Sequence, residues 1–202
     1  AIHLIAFIGI GPWFGFNGGG WWQPGLRGCA ARQRPALRAH PQHFRFGVPA
    51  PAQLEFFGEA EAAAAYDLAV RRLQALGGEA VTIDYAPFDE AAALLYTGPW
   101  VAERQLVMRE LLQRSPESVH AHVRASIARA AQFDAGDVFA AQHRLAALRR
   151  EVEALFTTLD CLVLPTVGRM YRIAEVLSDP LAINSRLGRY TNFLNLLDLC
   201  AV

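Results

Sequence analysis

The sequence predicts an α/β protein, a sheet flanked by helices with a helix-rich C-terminal part, and three observations predict it. Residues 44–48 and 81–85 alternate apolar and polar side chains, as strands with one buried face do, and residues 59–76 between them repeat apolar side chains at helical spacing. The run Cys161, Leu162, Val163, Leu164 is short, continuously apolar and followed by Pro165, the pattern of a strand buried on both faces. Long Ala-rich stretches of helical period fill the space between these strands.

Composition limits what the chain can be. Its 202 residues are 53% hydrophobic and 19% charged, which excludes a disordered chain and leaves enough apolar surface for a core. Basic and acidic residues balance at 19 each, so no global field draws it to nucleic acid or to an anionic membrane. No segment reaches the roughly 18 apolar residues of a membrane span. Cys29, Cys161 and Cys200 are too few and too scattered for a disulfide framework or a zinc set. All 19 basic residues are Arg. A chain without Lys has no P-loop lysine, no Schiff-base lysine and no Ser-Lys pair, and Arg does not replace it because it stays protonated.

The elements follow in order. Residues 1–43 are set apart: five Arg and no acid precede Glu55, Gly, Trp and Pro are dense, and neither a helical nor a strand period persists. They are read as irregular, or as foreign to the domain at 44–202. The segment also begins without Met, which suggests an origin inside a longer reading frame. Phe44, Phe46 and Val48 alternate with Arg45 and Gly47 in a strand ended by Pro49 and Pro51. In residues 59–76, Tyr66, Ala69, Val70, Leu73 and Leu76 share a helical face, and Gly77-Gly78 stops it. Val81, Ile83 and Tyr85 form the next strand, so strand, helix and strand make a βαβ unit with parallel strands. Residues 88–112 read as helix broken at Gly98-Pro99, 116–132 as helix with Val119, Val123, Ile127 and Ala130 inside, and 137–159 as a long helix. Residues 184–200 read as a last helix with Phe193, Leu196, Leu197 and Cys200 inside.

Several motifs fail on spacing. Gly9, Gly11 and Gly15 miss the dinucleotide pattern, since Phe14 stands where the third Gly belongs. His120 and His122 are two apart on an expected helix, about 200° apart, and so do not share a metal. None of the five Ser lies in a Gly-rich turn that would present an activated hydroxyl. Two clusters remain. In Leu94-Leu95-Tyr96-Thr97-Gly98-Pro99-Trp100-Val101-Ala102-Glu103-Arg104 a Gly-Pro break interrupts a helical run. Along a continuous helix Tyr96 and Arg104 would lie about 80° and about 12 Å apart, close enough to line one cleft. A guanidinium with a phenol suits a small carboxylate; the competing reading pairs Arg104 with a helix neighbour and puts Tyr96 in the core. The second cluster, residues 184–198, embeds Thr191, Asn192 and Asn195 in an apolar helix, where they pin loops or a ligand.

These stretches resemble the allophanate hydrolases, a branch of the amidase-signature family. The resemblance rests on FRFGVPAPAQLEFFG (44–58), DYAPFDEAAALLYTGPWVAER (84–104), DCLVLPT (160–166) and IAEVLSDPLAINSRLGRYTNFLNLLDL (173–199). It implies an amidase-signature fold with a mixed sheet, and a cytoplasmic enzyme that hydrolyses allophanate, a small anionic amide, to ammonia and carbon dioxide. It implies no metal, no organic cofactor, no nucleic acid or membrane partner, and a homodimer for the intact protein. The family's substrate-carboxylate ligands map onto Tyr96 and Arg104. Its Ser-Ser turn and Lys base have no counterpart in these residues, so the chain is expected to be a catalytically incomplete fragment holding the substrate-recognition half. Another amidase-signature amidase or amidotransferase subunit, and a non-enzymatic helical interaction module, are the alternatives. The last is discarded if residues 44–48, 81–85 and 161–164 lie side by side in one sheet.

Overall fold

The computed structural model describes residues 5–9, as backbone, and 43–201. Residues 10–42, most of the segment set apart at 1–43, lie outside that description. The strand β1, Ile5–Gly9, does not: a stretch read as irregular adds a strand to the sheet. Ile5, Ala6, Phe7 and Ile8 of its IAFIG sequence are apolar, and with His3 before them and Gly9 ending the strand the run is too short to show a period.

β2 (Phe44–Pro49), α1 (Ala60–Ala75) and β3 (Gly78–Ile83) form the expected βαβ unit, with β2 and β3 parallel from Phe44↔Gly78 to Pro49↔Ile83. The turn into β3 needs its two glycines. Gly77 has φ 95°, and a Cβ on Gly78 would lie 2.6 Å from the Phe44 ring. Next come α2 (Ala86–Tyr96) and α3 (Val101–Arg114), parted at Gly98-Pro99 as expected. The helix expected over 116–132 is instead α4 (Ala121–Ala128) between two 3₁₀ turns, because Pro116 and the bend at Val119 halt it. α5 (Ala135–Leu155) starts on a reciprocal cap in which Asp134 accepts from Asp137 N–H at 2.9 Å and Asp137 from Asp134 N–H at 3.0 Å. β4 (Cys161–Pro165) follows, then α6 (Ile173–Ser178), α7 (Pro180–Leu187), α8 (Phe193–Leu197) and β5 (Cys200–Ala201).

The single helix expected over 184–200 is therefore two helices and a strand, and Cys200 is half-buried in β5. Gly188 explains the first break. A Cβ there would collide with the Asn192 amide, and Thr191 and Asn192 N–H both turn back to the Gly188 carbonyl. Asp198, in a left-handed conformation (φ 58°), ends α8.

The sheet order is β3-β2-β4-β1-β5, with β3, β2 and β4 parallel and β1 antiparallel to both of its neighbours. The three strands expected from sequence lie side by side in a mixed sheet, which removes the purely helical module. β4 shows why its apolar run is continuous. Leu162 and Leu164 enter the main core with Ile83, Phe88, Leu148, Val152 and Phe193, whereas Val163 faces Phe46 and Tyr66 beneath α1. Each such burial is worth about 1.5–3 kcal/mol relative to exposure. The Tyr66 hydroxyl also donates to the Val163 carbonyl at 2.8 Å, tying α1 to β4. Among the described residues no helix is long and apolar enough to cross a membrane.

Candidate functional site

The break between α2 and α3 builds the site. Thr97 and Gly98 N–H both donate to the Ala93 carbonyl, at 2.8 and 3.1 Å, and the Thr97 hydroxyl donates to the same oxygen at 2.8 Å. That closes α2 tightly. A Cβ on Gly98 would stand 2.6 Å from the Leu94 carbonyl oxygen, so only glycine fits. Pro99 then opens α3, its carbonyl accepting from Ala102 N–H at 2.9 Å, while Val101 is buried and Trp100 packs against the main core.

This reversal brings Tyr96 and Arg104 together. The Arg104 Cζ lies 4.6 Å from the Tyr96 ring centroid, well inside the ~6 Å reach of a cation–π contact. On a continuous helix the pair would be about 12 Å apart along the axis. Both side chains are half-buried. Tyr96 is thus not enclosed in the core, and no carboxylate among the described residues pairs with Arg104. Arg104 is the fourth residue of α3, and the N-capping residue Trp100 offers the helix no side-chain acceptor. A helix start carries partial positive charge, so a cation gains nothing there from the helix dipole. The guanidinium is held by an aromatic face, beside a positive helix end, with its donors free of protein acids. That arrangement suits a small planar anion, which Arg grips through two parallel N–H bonds.

Within the second cluster, Arg189 and Tyr190 pin neighbouring segments. Arg189, between α7 and α8, donates from Nη2 to Asp89 Oδ2 at 2.8 Å and to the Gln53 carbonyl at 3.3 Å. Its Cζ lies 5.9 Å from the Tyr85 ring and 5.8 Å from that of Tyr190. Burial raises the Asp89 carboxyl above the usual range, and the Arg189 charge opposes that rise. The Tyr190 hydroxyl accepts from Glu55 N–H at 2.7 Å and donates to the Glu55 carbonyl at 3.0 Å. Sequence reasoning missed the Arg189–Asp89 pair, which joins residues 100 positions apart. The signal available was a charged residue inside an otherwise apolar face.

His120 and His122 differ from expectation. His120 is the N-cap of α4 and not part of it, so the helical angle does not apply and the rings lie 5.3 Å apart. The His120 Nδ1 accepts from His122 N–H at 3.4 Å, which engages the lone pair a metal would need. Among the described residues, no group of three or more His, Cys, Asp or Glu is placed to hold a metal.

A parallel core strand ending in Leu-Pro-Thr, a helix break that stacks an unpaired guanidinium on a phenol and a tyrosine-pinned Thr-Asn turn together point to one class. Residues 24–202 match the family described as Amidase, and the chain belongs to it. The match begins inside the segment that had been set apart at 1–43. Among curated proteins it is similar to urea amidolyase of Lachancea kluyveri, 31% identical over 168 residues, and of Saccharomyces cerevisiae, 32% over 157 residues. These alignments cover 82% and 77% of this chain and 9% of each relative. Among solved structures it is similar to Kluyveromyces lactis allophanate hydrolase, with TM-score 0.73, 33% identity, 80% of this chain and 27% of that one. It is also similar to the urea amidolyase of the same yeast, with TM-score 0.74 and 33% identity, covering 80% of this chain and 10% of that one. The chain thus spans about 9% of the length of the curated relatives it matches.

Proposed function

We propose that these residues form the substrate-recognition part of an amidohydrolase that cleaves allophanate, the N-carboxylated form of urea, to ammonia and carbon dioxide. One observation carries the proposal: the Arg104 guanidinium sits 4.6 Å over the Tyr96 ring with no carboxylate among the described residues to neutralise it. Arg104 grips the substrate carboxylate through two N–H bonds, and the Tyr96 phenol orients it. An uncharged amide would leave that guanidinium unsatisfied, which favours an anionic substrate over a general amide. The similarity to urea amidolyase and allophanate hydrolase supports the same choice.

The hydrolytic step needs an activated nucleophile and a base. None of the 202 residues is Lys, so a polypeptide of this sequence alone releases no ammonia from allophanate. The reading takes the working enzyme to be cytoplasmic and homodimeric, to need no metal or organic cofactor, and to bind no nucleic acid.

The test is a titration of this chain followed at the Arg104 Nε–Hε resonance. Malonamate, a stable carboxylated amide, should shift that resonance saturably. The neutral malondiamide should not, and in the Arg104→Gln chain, followed at the backbone amides of residues 96–104, neither ligand should produce a saturable shift. Equal responses to the charged and neutral ligands would remove the assignment.

A further inference from the structure

α2 is held at two adjacent residues from two directions. Arg189 reaches Asp89 from the turn between α7 and α8 at 2.8 Å. Arg144 of α5 grips the neighbouring Glu90 with a fork, Nε to Oε1 and Nη2 to Oε2, both at 2.6 Å. Neighbouring residues of a helix point about 100° apart. Two ionic links at that angle constrain the rotation of the helix about its own axis. They add to the apolar seat of α2, where the fully buried Phe88 stacks on Tyr85 and meets Phe193 edge-on. Arg189 is costly to place for a mere surface link: its side chain is 28% exposed, it lies near two tyrosine rings, and its Nε is buried without a partner among the described residues.

What this rotation controls lies one heptad away. Tyr96 follows Asp89 by seven residues, two helical turns, and so shares its face within about 20°. A rotation of α2 by about 20° moves a group about 6 Å from the axis by about 2 Å. Starting from 4.6 Å, a displacement of that size directed away from the guanidinium carries the Tyr96 ring past the ~6 Å cation–π reach, and a sideways one slides the cation off the ring centre.

We propose that Arg189 is a positioning residue, which through Asp89 sets the rotation of α2 and so keeps the Tyr96 ring under the Arg104 guanidinium. Its relevance to a substrate rests on the function proposed above; the geometric claim does not. Arg144, through Glu90, is the second tether of the same device.

The ring current of Tyr96 shields the Arg104 Nε–Hε, so NMR of the full 202-residue chain reads the stack directly, with Tyr96→Leu as the unshielded reference. Arg189→Met should abolish at least half of that shielding. Asp89→Asn, which removes charge with almost no change in volume, should do the same and keeps the test open if the first variant folds poorly. The exchanged pair, Arg189→Asp with Asp89→Arg, should recover part of it. Tyr66→Phe, which removes a hydrogen bond on the opposite face of the sheet, should lower the melting temperature and leave the shielding unchanged. Full shielding in folded Arg189→Met or Asp89→Asn protein would overturn the proposal. A complete homologue with the same segments separates the two readings. If shielding falls there without a rise in KM for allophanate, the tether stands and the substrate assignment fails.

Discussion

Removing one oxygen atom, in Tyr190→Phe, should unlatch the segment that follows β2. The Tyr190 hydroxyl serves both backbone groups of one residue, accepting from Glu55 N–H at 2.7 Å and donating to the Glu55 carbonyl at 3.0 Å. Tyr190 is fully buried, and the Glu55 carbonyl lies against Gly168 so closely that a Cβ at 168 would stand 2.5 Å from its oxygen. Glu55 is itself exposed and the two bonds are part-buried, so water replaces the lost hydroxyl in part. A fully buried orphan would cost about 1–3 kcal/mol, and this partly screened pair should cost about 1–3 kcal/mol in all. For a domain of this size that is a fall of roughly 2–12 °C in melting temperature. Urea unfolding followed by circular dichroism measures it, with an unchanged m-value showing that only stability moved. Amide exchange at residues 53–58 should accelerate more than exchange in β4. A loss below about 0.5 kcal/mol would mean that water replaces the hydroxyl in full and that the latch is not closed.

Further outcomes follow from the same geometry. Burial lifts the Tyr66, Tyr85 and Tyr190 hydroxyls above the ordinary tyrosine value. Their protonated forms are therefore favoured by folding, and that contribution is complete below pH 10 and lost above it, by up to about 4 kcal/mol per pH unit for the three together. Absorbance at 295 nm should show these tyrosines ionising only as the chain unfolds; early, reversible ionisation of all five would refute it. Gly188→Ala should cost about 1–3 kcal/mol by driving a methyl into the Asn192 amide, although φ of −88° is unstrained there. Adding Asn192→Ala should restore part of that loss, and no recovery would place the cost elsewhere. Burial, and secondarily Asp160, raises the Cys161 thiol, so alkylation at pH 8 should be at least about tenfold slower than for a free thiol. Peptide mass spectrometry would contradict this by finding Cys161 modified at the free rate.

What the sequence reveals, and what it hides, divides by the range of the interaction. β2, β3 and β4 are legible because alternation or unbroken apolarity repeats within a few residues, and the stop at Gly77-Gly78 is local chemistry. β1 is not, since four apolar residues ending in Gly give no period until antiparallel partners supply it. The break at Gly188 is hidden for a similar reason. Its cause is the side chain of Asn192 folding back, whereas the apolar spacing of residues 184–200 runs straight through. The His120–His122 angle fails because capping moves one residue off the helix. Tyr96 and Arg104 are legible as a pair, but their 4.6 Å separation is not. That distance depends on the Gly98-Pro99 turn, and their alignment is tied to partners as distant in sequence as Arg189.

The most direct measurement compares two substrates in a complete amidase-family enzyme carrying the same YTGPWVAER segment. Changing the arginine that aligns with Arg104 to Ala should lower kcat/KM for allophanate by about 30- to 4,000-fold, the 2–5 kcal/mol lost when a buried charge loses its partner. The neutral amide biuret should be hydrolysed no worse than before. Equal losses for both substrates, or none for allophanate, would contradict a guanidinium that reads the carboxylate.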